Sequence, residues 1–311
     1  MTANANAPVQ ALTLGWAGVG NMGLPMLQRL LDAGHAVNAI DARAQALDAL
    51  NDPQGRLHRA ASLAVLACGC DTVFLSLPSI EVVREVVRDL MQAPARRMRL
   101  IVNTGTTGAS LSHELAASAA QHGVRLVDCP VSGGPEAARA GLLSVMVSGL
   151  PSDVDALRPV LACWGPSITF AGEAPGAAQT LKLVNNAIIV ASYVSTLEAF
   201  VFGAKAGLDP KVMLDALNAG RLAPNGTTRI WLPEYILKGK PFGAQLQLLM
   251  KDMGLAMDES DATGVPMAVC RAALQMAEQA CGEGGLGLDA DLMDLVRALE
   301  SRAGLRLPRA G

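Results

Sequence analysis

The run Gly18-Val19-Gly20-Asn21-Met22-Gly23 spaces three glycines as a backbone that wraps a pyrophosphate requires. Gly18 permits a tight turn, Gly20 lets the main chain approach the phosphates, and Gly23 lets a helix pack closely on a strand. The phosphate charge then rests on unpaired N–H groups at the helix N-terminus. By itself such a run is only a Gly-rich turn, and its context decides between the two readings. Here an apolar strand precedes it, a helical pattern follows it, and Asp41 closes the next strand eighteen residues beyond Gly23. A carboxylate at that point accepts hydrogen bonds from both ribose hydroxyls and repels a 2′-phosphate, so NAD is expected in preference to NADP. Arg43 reads as a solvated residue at a helix start.

Residues of this kind need a sheet edge to hold them. Short apolar runs at Ala11–Ala17, Ala36–Asp41, Thr72–Leu77, Arg99–Asn103 and Arg125–Asp128 end in Gly, Pro or polar breaks and read as strands. Helical patterns separate them at Met22–Ala33, Ala44–Leu50, Glu81–Leu90 and Leu111–His122. Two further strands, Leu143–Ser148 and Ser167–Ala171, flank a helix from Ser152 to Cys163. This alternation predicts an α/β fold, a Rossmann-type doubly wound parallel sheet covered on both faces. Beyond the break Gly172-Glu173-Ala174-Pro175-Gly176 the strand signals stop. An all-α C-terminal domain is expected, with helices near Ala177–Ala206, Pro210–Asn218, Leu232–Leu237, Ala244–Ala262, Met267–Gln279 and Ala290–Ser301. The domains are therefore placed at 1–175, binding the dinucleotide, and 176–311, serving substrate and oligomerisation.

Composition narrows the function classes. The 311 residues carry a net charge of −3, with 51% hydrophobic and 17% charged residues. No basic cluster offers itself to nucleic acid, and the apolar content is too high for disorder. The apolar stretch Leu183–Leu197 contains Asn185 and Asn186 and falls short of a spanning helix. Met1–Gln10 has neither the basic nor the apolar part of a secretory signal. The cysteines at Cys68, Cys70, Cys129, Cys163, Cys270 and Cys281 are scattered, and no metal-ligand spacing joins them to a histidine. A cytoplasmic protein without disulfides or metal is expected. His35, just past a helix C-terminus, sits where the dipole favours a cation. Met250, Met253 and Met257 share one helix face and read as packing.

Extended to Leu24-Pro25-Met26, the glycine run resembles the fingerprint of the β-hydroxyacid dehydrogenases. That family includes 3-hydroxyisobutyrate dehydrogenase and tartronate semialdehyde reductase and is related to 6-phosphogluconate dehydrogenase. The resemblance continues in order through Leu77-Pro78, where the family packs backbone against the cofactor. Asp128-Cys129-Pro130-Val131-Ser132-Gly133-Gly134 is similar to its substrate loop, and Lys182-Leu183-Val184-Asn185-Asn186 to its catalytic segment. Lys251-Asp252-Met253 is similar to a late helix whose lysine reaches the cofactor.

The resemblance implies a hydride transfer between a nicotinamide and a small 3-hydroxy acid of the 3-hydroxyisobutyrate kind, or reduction of a tartronate-type semialdehyde. Lys182 is implied as general acid and base, with Asn186 orienting the substrate. Their spacing puts them on one helical face, and partial burial makes an ammonium a readier proton donor. Ser132, Gly133 and Gly134 are implied as carboxylate ligands, a reading their row of unencumbered N–H groups supports. Gly18, Gly20, Asn21, Met22, Gly23, Asp41, Leu77, Pro78, Thr106 and Lys251 are implied as cofactor contacts. The family reads Asp-x-Ser-Thr after the fifth strand; this chain has Asn103 and Gly105 there, so only Thr106 carries over. The phosphogluconate branch carries a glutamate seven residues after the lysine, where this chain has Ile189, and the imine-reductase branch replaces the lysine itself. Arg221, Asn225 and Gly226 fall in a loop that by analogy closes over substrate, with the active site in a cleft between the domains. A homodimer or homotetramer is implied. A non-catalytic NAD-binding module for partner recognition is the competing class, and it has no need of Lys182.

Overall fold

The computed structural model describes residues 12–282 and 285–308, which form two compact units meeting at Lys182/Leu183. The first alternates strands and helices: β1 (Leu14–Ala17), α1 (Gly23–Asp32), β2 (Val37–Ile40), β3 (Leu57–Arg59), α2 (Leu63–Gly69), β4 (Thr72–Leu75), α3 (Ile80–Met91), β5 (Leu100–Asn103), α4 (Gly108–Ala120), β6 (Arg125–Asp128), β7 (Val131–Ser132), α5 (Gly134–Ala140), β8 (Ser144–Ser148), α6 (Pro151–Leu161) and β9 (Ser167–Gly172). The strands form one sheet in the order β3-β2-β1-β4-β5-β6-β8-β7, with β9 beside β8. From β3 to β6 every pairing is parallel. The polypeptide reverses its winding between β1 and β4, and in open α/β sheets ligands bind outside the strand C-termini at such a point.

Side chains in this sheet alternate between its two faces, as the two-residue strand period requires. Trp16, Phe74, Val102 and Val127 join Met26, Leu27 and Leu30 of α1 in one core. Their neighbours Ala17, Val73, Leu75, Ile101 and Leu126 join Val83, Val87 and Leu90 of α3 and Leu111 and Leu115 of α4 in the other. Strands β4 and β5 are buried along their whole length, as strands covered on both sides are. Trp16 and Phe74 stack at 5.6 Å, and Trp164 meets both edge-on at 5.9 and 5.6 Å. The two indoles donate to Gly18 O at 2.8 Å and Met26 O at 3.1 Å, which ties this aromatic cluster to the glycine run and to α1.

The structure departs from the expected elements where segments are short or irregular. Strand β3 and helix α2, with Ser62 accepting from the Val65 N–H as its N-cap, had no periodic signal of their own. Residues Ala44–Ala49 wind as a 3-10 helix. The sheet is not wholly parallel: β7 follows β6 after only Cys129 and Pro130, too short for a crossover, and β8 pairs antiparallel with both.

The second unit is helical: α7 (Ala177–Lys205, begun in the first unit), α8 (Pro210–Ala219), α9 (Leu246–Thr263), α10 (Ala268–Gly282) and α11 (Leu295–Ala303). The expected helix at Leu232–Leu237 is instead a π-helical segment, Thr227–Ile236, which contains Pro233. Proline removes a backbone donor, and widened turns absorb such a loss. Leu183, Ala187, Val190, Tyr193, Val194 and Leu197 of α7 are buried in one core with Met253 and Met257 of α9. Among the described residues α7 alone is long and apolar enough to cross a membrane, on those two criteria only, and its role here is that of a core helix.

Trp164→Ala should cost about 3–5 kcal/mol of stability and Trp164→Phe clearly less. Denaturant titration followed by circular dichroism checks this; equal losses would show that the indole's bulk and hydrogen bond contribute nothing.

Candidate active site

The glycine run differs at each of its three positions. Gly18 has φ +97°, and a Cβ there would lie 2.2 Å from Ser76 O. A Cβ on Gly23 would lie 2.2 Å from Gly18 O, whereas a Cβ on Gly20 would meet nothing within 4 Å. The outer glycines thus allow β1, the loop after β4 and α1 to touch, and the middle one leaves open space in front of the turn. Met22 occupies the N-cap of α1 without a side-chain cap bond, so the helix N-terminus keeps donors for a phosphate. This is the cradle a dinucleotide pyrophosphate fits. Leu77 packs its side chain beside Gly18, and Pro78 lies exposed at the same edge.

Asp41 follows β2 and turns its carboxylate onto the run. One oxygen accepts from the Val19 N–H at 2.6 Å and the other from the Arg43 N–H at 2.8 Å. The Arg43 side chain is 75% exposed, with Nε 3.8 Å from the carboxylate, so their ion pair is weak.

At the ends of β5 and β6 the side chains form a buried network. Asn103 donates to Thr107 Oγ1 at 2.9 Å and accepts from the Gly105 N–H at 3.2 Å, shaping the loop that carries Thr106. Asp128, 1% exposed, accepts from Ser112 Oγ at 2.7 Å, the Gly176 N–H at 2.7 Å and Gln179 Nε2 at 3.3 Å. Burial pushes its carboxyl above the ordinary value despite these bonds and the nearby His113. Gln179, itself fully buried, accepts from the Thr107 N–H and donates to Gly105 O, both at 2.9 Å. Helix α7 therefore begins against the strand ends, and Lys182 follows in its second turn, 7% exposed. Ser132 lies in β7, and Gly133 and Gly134, with φ +138° and +77°, lead into α5.

Within the second unit Asn186 donates from Nδ2 to Asp252 Oδ2 at 2.7 Å and accepts at Oδ1 from Asn185 Nδ2 at 3.1 Å. Lys251 Nζ lies 3.0 Å from Asp252 Oδ1 as an ion pair. Asp252 thereby fixes which end of the Asn186 amide is the donor and joins it to Lys251. Asn225 accepts from the Thr227 and Thr228 N–H groups and starts the π-helical segment, while Arg221 stands exposed in the preceding loop.

The glycine run, Asp41, Leu77, Pro78, Thr106 and the Ser132–Gly134 loop thus sit on the C-terminal edge of the sheet, and α7 starts against that edge. Asn186 and Lys251 meet through Asp252. Sequence reasoning missed Gln179 and Asp252 as organising residues. An amide three positions before Lys182 in an apolar run and a carboxylate next to Lys251 mark the two positions in the sequence but not their partners. His35 also departs from expectation: burial lowers its pKa, against the helix C-terminus that favours a cation.

Residues 13–172 match the NAD binding domain of 6-phosphogluconate dehydrogenase. Residues 176–299 match the domain described as NAD-binding of NADP-dependent 3-hydroxyisobutyrate dehydrogenase. The mitochondrial 3-hydroxyisobutyrate dehydrogenase of Rattus norvegicus is 31% identical over 283 residues, spanning 87% of this chain and 82% of the relative. A Mycobacterium tuberculosis 3-hydroxyisobutyrate dehydrogenase solved with L-serine superposes with a TM-score of 0.77 at 29% identity, over 93% of this chain and 99% of that one. Psf3 in complex with NADP+ and 2-OPP superposes at 0.79 with 27% identity, over 92% and 100%.

Two outcomes follow from this geometry. Gly20→Ala should leave Tm unchanged and weaken NADH binding measured by fluorescence, while Gly23→Ala should lower Tm outright; a Gly20→Ala chain that binds NADH normally would contradict the cradle. The folded state holds the Asp128 proton above its ordinary value of 3.8, so that stability is present at low pH and is lost as pH rises through the raised value. Asp128→Asn leaves one of that carboxyl's hydrogen-bond donors facing an NH2 at every pH, and its Tm difference from the parent should shift in the variant's favour as pH rises from about 4. A Tm difference independent of pH would contradict it.

Proposed function

The chain belongs to the β-hydroxyacid dehydrogenase family, and from that premise we propose that it is an NAD(P)-dependent oxidoreductase. Its reaction interconverts a small 3-hydroxy acid of the 3-hydroxyisobutyrate kind with the corresponding semialdehyde. The observation that carries the reading is Lys182, a buried lysine one turn into a helix that begins against the C-terminal sheet edge. The names of the relatives support the substrate class, as does the L-serine of the mycobacterial structure, itself a 3-hydroxy acid.

Gly18, Gly20, Asn21, Met22 and Gly23 would hold the dinucleotide phosphates, Asp41 the adenosine ribose, and Leu77, Pro78, Thr106 and Lys251 the rest of the cofactor. When bound, the nicotinamide supplies hydride chemistry. In reduction negative charge builds on the carbonyl oxygen, and Lys182 Nζ donates a proton to it. In oxidation the neutral amine takes the hydroxyl proton back. Asn186 commits one N–H to Asp252, which leaves the other for the substrate oxygen. The Ser132 hydroxyl and the Gly133 and Gly134 N–H groups hold the substrate carboxylate.

Asp41 supports NAD over NADP, because its carboxylate stands where a 2′-phosphate would be repelled. The reading is of a cytoplasmic enzyme that works as a homodimer or homotetramer. Val184, Ile188 and Phe202, 50%, 63% and 74% exposed along α7, support burial of this helix against a second copy.

Lys182→Ala should lower kcat by about a hundredfold or more on a 3-hydroxy-acid panel assayed by NADH absorbance, with NADH binding retained. Near-normal turnover in that variant would overturn the assignment. No turnover of any hydroxy acid or semialdehyde by the parent chain, with NAD binding intact, would favour the partner-recognition module.

A further inference from the structure

Gln179 uses its whole carboxamide. The carbonyl accepts from the Thr107 N–H at 2.9 Å, and the amino group donates to Gly105 O at 2.9 Å and to Asp128 Oδ1 at 3.3 Å. It pairs with the β5–α4 loop as a neighbouring strand would, one donor and one acceptor on residues two apart, so a one-residue slip of the loop would break both bonds. No other side chain makes these contacts at that reach. Glutamate cannot donate when ionised, asparagine is one methylene shorter, and methionine has the length but neither hydrogen-bonding group.

The side chain is fully buried and three positions ahead of Lys182 on α7, so the two project from adjoining sides of one turn. Two further bonds hold the start of this helix: Gly176 N–H to Asp128 Oδ2 at 2.7 Å and Ala178 N–H to Ser148 Oγ at 3.1 Å. Those two restrain where the helix begins. Gln179 reaches across to the β5–α4 loop, and its contact resists rotation of the first turn about the helix axis. Such a rotation would swing Lys182 directly.

We infer that Gln179 is a positioning residue, whose clamp on Gly105, Thr107 and Asp128 sets the rotation of α7 that presents Lys182 to the substrate. This rests on the proposed role of Lys182. The pyrophosphate cradle and Asp41 lie on β1, β2 and α1, away from the clamp, so losing the clamp disturbs only the Thr106 contact of the cofactor and leaves most of the NADH affinity in place while proton transfer suffers.

The test is a double-mutant cycle on the full chain, comparing Gln179→Met in the parent and in a Lys182→Ala background. Readouts are kcat and KM for 3-hydroxyisobutyrate and the affinity and stoichiometry of NADH binding. In the parent, Gln179→Met should lower kcat about ten- to a hundredfold with KM for the hydroxy acid and NADH affinity nearly unchanged. In the Lys182→Ala background the same change should cost less than about threefold, because the group it positions is gone. Gln179→Glu, which keeps the Thr107 contact but faces the Asp128 carboxylate, should behave like Gln179→Met. Equal losses in both backgrounds, or loss of NADH binding in both Gln179 variants, would make Gln179 part of the general scaffold and overturn the inference. An inactive Lys182→Ala beside a fully active Gln179→Met would overturn the inference and leave the proposed function standing. A Lys182→Ala chain with near-normal kcat would overturn both.

Discussion

A carboxyl group removed from water needs hydrogen-bond donors around it, and Asp128 draws them from several directions at once. Ser112 comes from α4, Gly176 from the loop that ends the sheet domain, and Gln179 from the first turn of α7. The demand of one buried group therefore decides how three segments converge at the end of β6. The residues credited with chemistry hang from those segments: Ser132 and the two glycines follow Asp128 in the chain, Thr106 rides the loop that Gln179 clamps, and Lys182 is one turn further along α7. Removing Asp128 from the interior would take away the common anchor of all three.

At the other end of the edge the constraint is steric. The glycine turn brings β1, the loop after β4 and α1 to separations that a Cβ at Gly18 or Gly23 would forbid, while Gly20 faces open space. Close packing and a binding cradle thus come from the same six residues. The aromatic cluster beneath is tied to the turn by the Trp16 indole bonded to Gly18 O. The sheet core and the cofactor turn are consequently one mechanical piece, which suits a site that must hold a cofactor within fractions of an ångström.

Much of this was legible in the residues, for reasons that differ from case to case. The glycine run was readable because a positive φ and a close approach are properties of the residue itself. Strand and helix order followed from unbroken apolar runs in β4 and β5 and from the amphipathic periodicity of helices such as α1 and α3. Segment Leu57–Arg59 was not readable, since a three-residue edge strand of mostly polar residues carries no period. The π-helical turn around Pro233 reads as an ordinary short helix until the donor that proline lacks is accounted for. Gln179 and Asp252 were hidden for a different reason. Their meaning lies in partners far away in the chain, such as Thr107 for Gln179 and Asn186 for Asp252. No local pattern reports a pairing at that range.

The most direct measurement follows a labelled hydrogen. 3-Hydroxyisobutyrate carrying deuterium at its carbinol carbon is incubated with the enzyme and NAD+ in ordinary water, and the reduced nucleotide is examined by NMR and mass spectrometry. The account predicts one deuterium at C4 of the nicotinamide, on a single face, with none lost to solvent. Reduced nucleotide without the label, or no reduction by any small 3-hydroxy acid while the nucleotide still binds, would contradict it.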